Sequence, residues 1–315
     1  MITLVLASLG LVTTLVLAYF FADFAEQCWR YRKFRGPFAL PLIGCCYSAA
    51  PLNLLKYIAS MRRRFGKIFV FFGFARAHLI ILDAVVARRV LSDSKCFTKG
   101  YDYAVTFAHA FGMGLVTSTG EKHKKDRAIF GKYFVRGNIL KWTTSINEVA
   151  NVAIGKMMGG PVAGGKVASV NVEHMFAKMA LRVFMKFCTG TDYQNDPEKE
   201  DEICKSVSAG SNAVAECMLL NVPMWRIFPQ VRRIEYARDI IYKEFDSQLK
   251  LRHSLIAAGK GEDFNDCMSA MINEGMSEQE MRDHFTTLIC AGHDTSAYFA
   301  SYMVYLLAQH PEVQD

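Results

Sequence analysis

The sequence predicts a mainly α-helical globular part with a small β element near its start, preceded by a membrane-spanning helix. Three observations predict this fold class: an uncharged apolar run over residues 2–22, two short strand-like runs before residue 83, and helical periodicity that dominates after residue 120. Hydrophobic residues make up 51% and charged residues 21% of the 315 residues. Such a chain can bury a sizeable core and is not expected to be disordered.

The run Ile2–Ala22 is rich in Leu, Val, Ala and Phe. An α-helix needs ~20 apolar residues to cross the hydrocarbon core, so this run is long enough to span it. Basic residues follow the run but do not precede it, which places the C-terminal side in the cytosol. A cleaved signal peptide is the alternative, but no basic start and no clear small-residue cleavage site is present. We therefore expect a retained anchor.

The segment Gly36–Gly44 contains two prolines and two glycines. These residues prevent a continuing helix and favour an extended, stiff turn. Such a segment suits a spacer that holds a globular body against the membrane. We therefore divide the chain into a transmembrane anchor (residues 1–22), a basic and Pro/Gly-containing hinge (23–50) and a globular part (51–315).

The globular part begins with a predicted helix over residues 52–65, which ends at Gly66. Two strand-like runs follow at residues 67–72 and 78–82, and the turn between them predicts a hairpin. After Asp83 the apolar pattern becomes helical.

Charge is unevenly distributed. Residues 23–141 contain 21 Lys and Arg against 7 Asp and Glu, whereas residues 142–315 contain 16 against 23. The basic half is either a solvated surface or a face turned toward anionic lipid or an acidic protein. Nothing in it resembles a nucleic-acid-binding module. The nine cysteines form no C-x-x-C pair and no zinc-type spacing, which predicts reduced thiols.

A long helix carries the candidate chemistry. Ser277 and Glu280 form a capping-box pattern, and apolar residues then recur at three- and four-residue steps from Met281. Pro311 predicts the end of this helix close to Gln309.

Gly292 lies inside this predicted helix, where a glycine costs ~1 kcal/mol relative to alanine. Either a flat cofactor or small ligand approaches closely here, or another helix packs closely. Three residues later, Thr295 is expected to place a hydroxyl on the same face, where it can bond to the helix or to a ligand. Asp294 supplies an ionisable group for proton movement.

The sequence Ala291-Gly292-His293-Asp294-Thr295 resembles the oxygen-binding helix of the cytochrome P450 family, whose pattern is A/G-G-x-D/E-T. Residues 306–314 resemble the family's link to the next helix, and residues 120–127 resemble the helix that carries W-x-x-x-R. The order of anchor, hinge and hairpin also matches, so the resemblance covers essentially the whole chain.

This resemblance implies a cytochrome P450 fold and a haem cofactor. Arg127 matches the arginine that binds the haem propionates, for which a forked guanidinium is well suited. His123 replaces the tryptophan of the motif and can still donate a ring N–H. Ala291 and Gly292 would border the haem, with Gly292 leaving room for dioxygen.

The resemblance also implies an activity, in which Asp294 and Thr295 are the catalytic residues and serve in proton delivery. The activity is that of a monooxygenase inserting one oxygen atom of O2 into a hydrophobic substrate. Electrons would come from an NADPH-dependent reductase or another donor, and the globular part would lie on the cytosolic side of the endoplasmic reticulum membrane. The expected pocket segments are 101–113 and 209–225. The donor is expected to dock on a basic surface that includes Lys122, Lys124, Lys125 and Lys132.

Two family motifs do not occur: the E-x-x-R helix and the loop F-x-x-G-x-R-x-C-x-G, whose cysteine ligates iron through its thiolate. We therefore nominate no metal ligand among the nine cysteines and expect the axial cysteine to lie beyond Asp315. The chain is expected to be an N-terminal portion, inactive alone. The alternative is a non-catalytic, membrane-tethered helical binding protein derived from the same family.

Two further interpretations are weak. Residues 160–166 have the G-x-x-x-x-G-K spacing of a phosphate-binding loop, but Val167 stands where Ser or Thr must hold magnesium. A hydrolase using His293 and Asp294 as a metal pair would need further ligands, and His284 does not share their face cleanly.

Overall fold

The computed structural model describes residues 2–49, 54–74, 76–158, 170–220, 224–260 and 266–314. Over these residues the chain is mainly helical with one two-stranded antiparallel sheet, which confirms the predicted fold class. The chain divides into two units: residues 1–98 with 218–222, and residues 99–217 with 223–315. The phosphate-loop spacing at residues 160–166 lies outside the described residues.

The first unit is a helix–hairpin–helix arrangement, as predicted. Its strands pair from Ile68 with Ile81 to Gly73 with Arg76. The side chain of Asp83 accepts hydrogen bonds from the first free N–H groups of the helix after the hairpin. The elements are α1 (Ile2–Tyr31), α2 (Cys46–Ala49), α3 (Leu54–Phe65), β1 (Ile68–Gly73), β2 (Arg76–Ile81) and α4 (Ala84–Ser92).

Helix α1 continues nine residues beyond the predicted anchor, from Ala22 to Tyr31. Its last third packs on the hairpin: the rings of Phe24 and Phe72 meet edge to face at 5.4 Å. The backbone N–H of Ala77 also donates to Gln27 Oε1 at 2.8 Å. The beginning of the predicted hinge is therefore helix that is joined to the first unit. In the described part of the chain, α1 is the one helix long and apolar enough to cross a membrane.

The Pro/Gly segment is non-helical, as predicted, and lies along β1. The N–H of Val70 donates to the carbonyl of Arg35 at 2.9 Å, and the N–H of Cys45 donates to the carbonyl of Phe72 at 2.7 Å. Between these contacts, Leu40 and Gly44 form an isolated antiparallel bridge. The segment is thus fixed to the sheet at both ends.

The second unit is helical throughout its described regular elements. It starts with a π-helical turn (Tyr103–Phe107) and ends with a 3₁₀ turn (Pro311–Val313). Its helices are α5 (Ala108–Phe111), α6 (Gly120–Gly131), α7 (Arg136–Lys141), α8 (Thr143–Met158), α9 (Val172–Thr189), α10 (Pro197–Leu220, of which residues 197–217 belong to this unit), α11 (Pro229–Ala257), α12 (Cys267–Asn273) and α13 (Glu278–Gln309).

Helix α13 packs across α9 to form the main core of this unit. Fully buried side chains from α9, α11 and α13 meet there, including Leu181, Met185, Phe245, Phe285 and Ile289. Each such side chain contributes ~1.5–3 kcal/mol of transfer free energy.

The capping box of α13 forms as predicted. The N–H of Glu280 donates to Ser277 Oγ at 3.3 Å, and the N–H of Ser277 donates to Glu280 Oε2 at 3.1 Å. The helix ends at Gln309, where the sequence placed its end.

Candidate functional site

The A-G-x-D-T sequence lies where α13 leaves the core. Between Met281 and Ile289 every residue except Arg282 is buried. Past the motif the helix exposes large apolar side chains: Tyr298, Phe299, Tyr302, Met303, Val304, Tyr305, Leu306 and Leu307. The motif therefore joins a packed half of the helix to an open half.

Gly292 faces helix α9. A Cβ added to it would lie 3.0 Å from Cδ2 of Phe184, which is tighter than ordinary van der Waals contact. Close packing of another helix, the second of the two explanations above, accounts for this glycine. The role of Gly292 in leaving room for a small ligand stays a prediction.

Thr295 lies about 40° from Ala291 and about 60° from Gly292 around the helix axis. In an α-helix, residues four apart are closer in angle than residues three apart, so Thr295 aligns with Ala291. Both residues are exposed, and Thr295 Oγ1 donates to the carbonyl oxygen of Ala291 at 2.6 Å. The structure therefore brings Ala291 and Thr295 together on an open face.

Asp294 is turned toward helix α10. Its Oδ1 lies 2.8 Å from His293 Nδ1 and accepts a hydrogen bond from Ser208 Oγ at 3.2 Å. Burial alone would raise the pKa of Asp294, but the bonds from His293, Ser211 and Ser208 outweigh it and hold that pKa below its usual value. Asp294 is thus a carboxylate held beside the open face.

His293 does not form a metal pair with Asp294. It is fully buried, and its Nε2 lies 3.4 Å from the thiol sulfur of Cys204 on α10. Across the described ranges, no group of three or more His, Cys, Asp or Glu side chains is arranged to hold a metal ion. The hydrolase interpretation therefore has no support here.

His123 and Arg127 on α6, together with Lys99 before it in the chain, form a set of cationic or ring N–H donors. Burial lowers the pKa of His123, and the charges of Lys99 and Arg127 lower it further, while Asp126 acts in the opposite direction. Arg127 is exposed and forms no ion pair with any residue that the structure describes. This set is suited to binding carboxylates.

Sequence reasoning missed Lys99, because no motif contains it. Its ammonium group donates to the carbonyl oxygens of Ser118 at 2.7 Å and Leu115 at 3.3 Å. These carbonyls belong to the loop just before α6, and burial lowers the pKa of Lys99. The spacing of residues in the sequence could not have predicted this contact, because the contact depends on the conformation of the loop before α6.

A neighbouring side of α6 is fixed to α13 by a buried polar cluster. Asp126 Oδ2 lies 3.3 Å from Lys122 Nζ and 3.4 Å from Nε2 of the fully buried His284. Lys122 also bonds Glu280 Oε1 at 3.0 Å. These contacts orient α6 so that His123 and Arg127 lie away from the cluster. They also engage Lys122, one of the lysines predicted to receive an electron donor.

The loop before α6 is packed directly on α13. The N–H of Met113 donates to Asp283 Oδ2 at 2.8 Å, and the hydroxyl of Tyr242 donates to Asp283 Oδ1 at 2.9 Å. A Cβ at Gly112 would lie 2.0 Å from Asp283 Oδ1, so only glycine allows this approach. The end of the predicted pocket segment 101–113 is thus attached to the helix that carries Thr295. Residues 221–223 of the other predicted segment lie outside the described residues.

The residues present fit one part of a haem group and not another. The donors on α6 and at Lys99 match the chemistry of the haem propionates, whose two carboxylates need cationic and N–H partners. The nine cysteines are all described and all free. Burial raises the pKa of Cys204 to about 11 and also raises the pKa of Cys188 and Cys290. A metal-ligating thiolate requires the opposite shift, so these buried thiols do not fit the axial position.

Comparison with known proteins gives one family. The model of the family described as "Cytochrome P450" matches residues 34–315. Similar curated proteins include the probable cytochrome P450 4d20 of Drosophila melanogaster, 22% identical over 98% of this chain and 66% of the relative. The cytochrome P450 monooxygenase cyp1 of Mycosarcoma maydis is 23% identical over 96% of this chain and 50% of its own length.

A bacterial protein is also similar to this chain. The cyclooctat-9-en-7-ol 5-monooxygenase of Streptomyces melanosporofaciens is 24% identical over 88% of this chain and 59% of its own length. The chain therefore spans between half and two thirds of the length of these relatives. Because the family model matches residues 34–315, well over half of the chain, the chain belongs to the cytochrome P450 family.

Proposed function

We propose that this chain forms the anchor and oxygen-helix portion of a haem-dependent monooxygenase, which inserts one oxygen atom of O2 into a hydrophobic substrate. The observation that carries the proposal is the open face of α13, where Ala291 and the hydroxyl of Thr295 are exposed beside the ionised Asp294. When bound, haem supplies the oxygen-activating chemistry, and the protein supplies binding and orientation.

Arg127, His123 and Lys99 would hold the haem carboxylates. Arg127 offers a forked guanidinium that is not engaged by another described side chain, and Lys99 adds a second positive charge. The depressed pKa of His123 favours its neutral form, which still has one ring N–H to donate. Ala291 would border the haem face, whereas Gly292 supports α13 against α9.

Thr295 and Asp294 would donate and accept protons at the open face of α13. The Thr295 hydroxyl can give up its bond to the Ala291 carbonyl and donate its proton outward instead. The ionised Asp294 can take up a proton at its other oxygen, Oδ2, and release it again, while Ser208 on α10 donates a hydrogen bond to Oδ1. The buried His293 keeps the Asp294 carboxylate in place.

Residues 1–315 alone would form no thiolate-ligated haem, since none of the nine cysteines stands in the sequence F-x-x-G-x-R-x-C-x-G. Treating the reduced chain with haem and carbon monoxide is therefore expected to give no red-shifted Soret band of the family type. Appearance of that band would contradict this part of the proposal.

The proposed setting is the endoplasmic reticulum membrane, with residues 1–22 as a single anchor and the last turns of α1, packed on the hairpin, in the cytosol with the rest of the chain. The anchor (residues 1–22), the hinge (23–50) and the globular part (51–315) are kept as proposed, with the hinge beginning as the last turns of α1. The electron donor would be an NADPH-dependent reductase or an equivalent protein. Lys125 and Lys132 are the better candidates for its docking surface, because Lys122 is engaged with Asp126 and Glu280.

The carboxylate site can be tested by titrating the full chain with haemin and, separately, with haemin dimethyl ester, which lacks the free carboxylates. The wild-type chain is expected to prefer haemin. Arg127→Gln should weaken haemin binding roughly fivefold, equivalent to about 1 kcal/mol for one exposed charged contact, and leave ester binding unchanged.

Lys141→Gln is the matched control, because Lys141 is an exposed cation on α7. Equal affinity for haemin and its ester in the wild-type chain would contradict the carboxylate site. It would favour the alternative of a non-catalytic membrane-tethered binding protein.

A further inference from the structure

A cysteine on helix α10 contacts the histidine of the A-G-x-D-T sequence. Sγ of Cys204 lies 3.4 Å from Nε2 of His293, and the other ring nitrogen, Nδ1, lies 2.8 Å from Oδ1 of Asp294. Cys204 is 2% exposed and His293 is fully buried. The three side chains therefore form a continuous series of polar contacts from α10 to the carboxylate. The proton exchange proposed for Asp294 does not involve Cys204, which is the first member of this series.

The charge of Asp294 determines the position of one ring proton. Burial raises the pKa of Asp294, but hydrogen bonds from His293, Ser211 and Ser208 outweigh burial, so the carboxyl group is ionised at neutral pH. An ionised carboxylate can only accept hydrogen bonds. Nδ1 of His293 therefore carries a proton and donates a hydrogen bond to Oδ1 of Asp294.

The thiol of Cys204 is protonated and can donate to the opposite ring nitrogen. Burial raises the pKa of Cys204 to about 11, although the positive charge of Lys178 opposes this shift. In a neutral imidazole, the nitrogen without a proton is a hydrogen-bond acceptor. Because Nδ1 carries the proton of a neutral His293, Nε2 is the acceptor, and the S–H group of Cys204 faces it as a donor.

These contacts hold the imidazole ring at both nitrogens. A buried ring nitrogen without a hydrogen-bond partner is costly, so the thiol favours the ring orientation in which Nε2 faces α10. Because the ring is rigid, Nδ1 then faces Asp294. Ser208, on the same helix as Cys204, donates to the same carboxylate oxygen at 3.2 Å. Helix α10 thus determines the position of the Asp294 carboxylate both directly and through His293.

We propose that Cys204 is a positioning residue for Asp294, acting through His293. Its thiol donates a hydrogen bond to Nε2 of His293, and the oriented ring donates from Nδ1 to the carboxylate of Asp294. The thiol keeps its proton throughout, so the role is structural orientation and not proton transfer. The inference rests on the proposed role of Asp294 in proton exchange and identifies what holds that carboxylate in place.

The first test measures the S–H stretching band of Cys204 by infrared spectroscopy of the full chain, as the difference between the parent spectrum and that of Cys204→Ala. A thiol that donates a hydrogen bond absorbs at lower wavenumber than a free thiol. The band is therefore expected to move to higher wavenumber in a His293→Phe background. Cys217 is the matched control, because it is a buried thiol ~20 Å further along α10. Its band should not respond to His293→Phe, and a Cys204 band that does not respond either contradicts the proposed hydrogen bond.

The second test measures the pKa of Asp294 from its carboxyl ¹³C resonance in the labelled full chain, with Asp294→Asn identifying the signal. Cys204→Ala removes the donor to the ring, so the bond from His293 weakens and the pKa of Asp294 is expected to rise. Cys204→Ser keeps a hydroxyl donor and should bring the pKa back toward the wild-type value. Cys217→Ala also removes a buried thiol from α10 but should leave the pKa of Asp294 unchanged. A pKa that is unchanged or lowered in Cys204→Ala, or raised equally in Cys217→Ala, overturns the inference.

Both measurements are made without haem and without turnover, so they separate this inference from the proposed function. Equal affinity of the wild-type chain for haemin and its dimethyl ester contradicts the proposed carboxylate site and leaves the contact between Cys204 and His293 standing. A Cys204 band that does not respond to His293→Phe contradicts the positioning role alone.

Discussion

The two halves of α13 share one helix and one apolar pattern but have opposite surroundings. The half from Met281 to Ile289 is buried against α9 and α11, whereas the half from Tyr298 to Leu307 exposes its aromatic and aliphatic side chains. An apolar stripe therefore predicts a helix but not which part of the protein, if any, covers it. The motif with Thr295 lies between the halves, so its open face belongs to the exposed environment and its packed face to the core.

The largest expected effect comes from truncating one phenylalanine in each half. Phe285→Ala removes a fully buried ring and should lower the free energy of unfolding by ~3–5 kcal/mol. Phe299→Ala removes a ring that is 67% exposed and should change it by ~0.5 kcal/mol or less. Urea unfolding of both variants measures the difference. Similar losses at the two positions would show that the exposed half is packed in solution.

A smaller effect is expected at the boundary of the two halves. In Gly292→Ala, contact with the Phe184 ring costs ~1–3 kcal/mol of overpacking, and helix propensity returns ~1 kcal/mol. The net change should therefore lie between neutral and a loss of about 2 kcal/mol. In a Phe184→Leu background the same substitution should become stabilising. If the background makes no difference to the effect, Phe184 is not the reason for this glycine.

The smallest effect concerns the pH dependence of the buried half. Burial lowers the pKa of His284, and the neighbouring charge of Lys122 adds to this, while Asp126, Asp283 and Glu280 oppose it. In the unfolded chain the pKa of His284 returns to ~6.5. At pH values between the folded and the unfolded pKa, the unfolded state therefore binds more protons than the folded state. Stability should thus rise with pH up to ~6.5 and fall as the pH drops below it.

His284→Gln removes this titration and should flatten the dependence of unfolding free energy on pH between about 5 and 7. His310→Gln, at an exposed histidine at the end of the same helix, is the control and should keep the wild-type slope. A slope that survives His284→Gln would assign the pH dependence to other groups.

Much of the fold could be predicted because local sequence signals determine it. The capping box at Ser277, the hairpin at residues 68–81 and the end of α13 at Gln309 all depend on residues close in sequence. The end of α1 could not be predicted in this way. Its extension to Tyr31 depends on contacts of Phe24 and Gln27 with strands some 50 residues away.

The candidate site was less predictable than the fold, because spacing along a helix does not say which face is covered. The reason for Gly292 lies in Phe184 on another helix, and the orientation of Asp294 depends on Ser208 of α10. Lys99 lies near the donors on α6 because its ammonium group binds carbonyl oxygens of the loop before that helix. The assignments of His123, Arg127, Ala291, Asp294 and Thr295 remain predictions that the geometry is compatible with.

The most direct test of the central claim compares two faces of α13 in one haemin titration of the full chain. Ala291→Leu places bulk on the face shared with Thr295, and Ser296→Leu places the same bulk on an adjacent exposed face. If the Ala291 face is the haem face, the first variant weakens haemin binding and the second matches the wild type. Equal binding by all three chains, or loss only with Ser296→Leu, would contradict the claim.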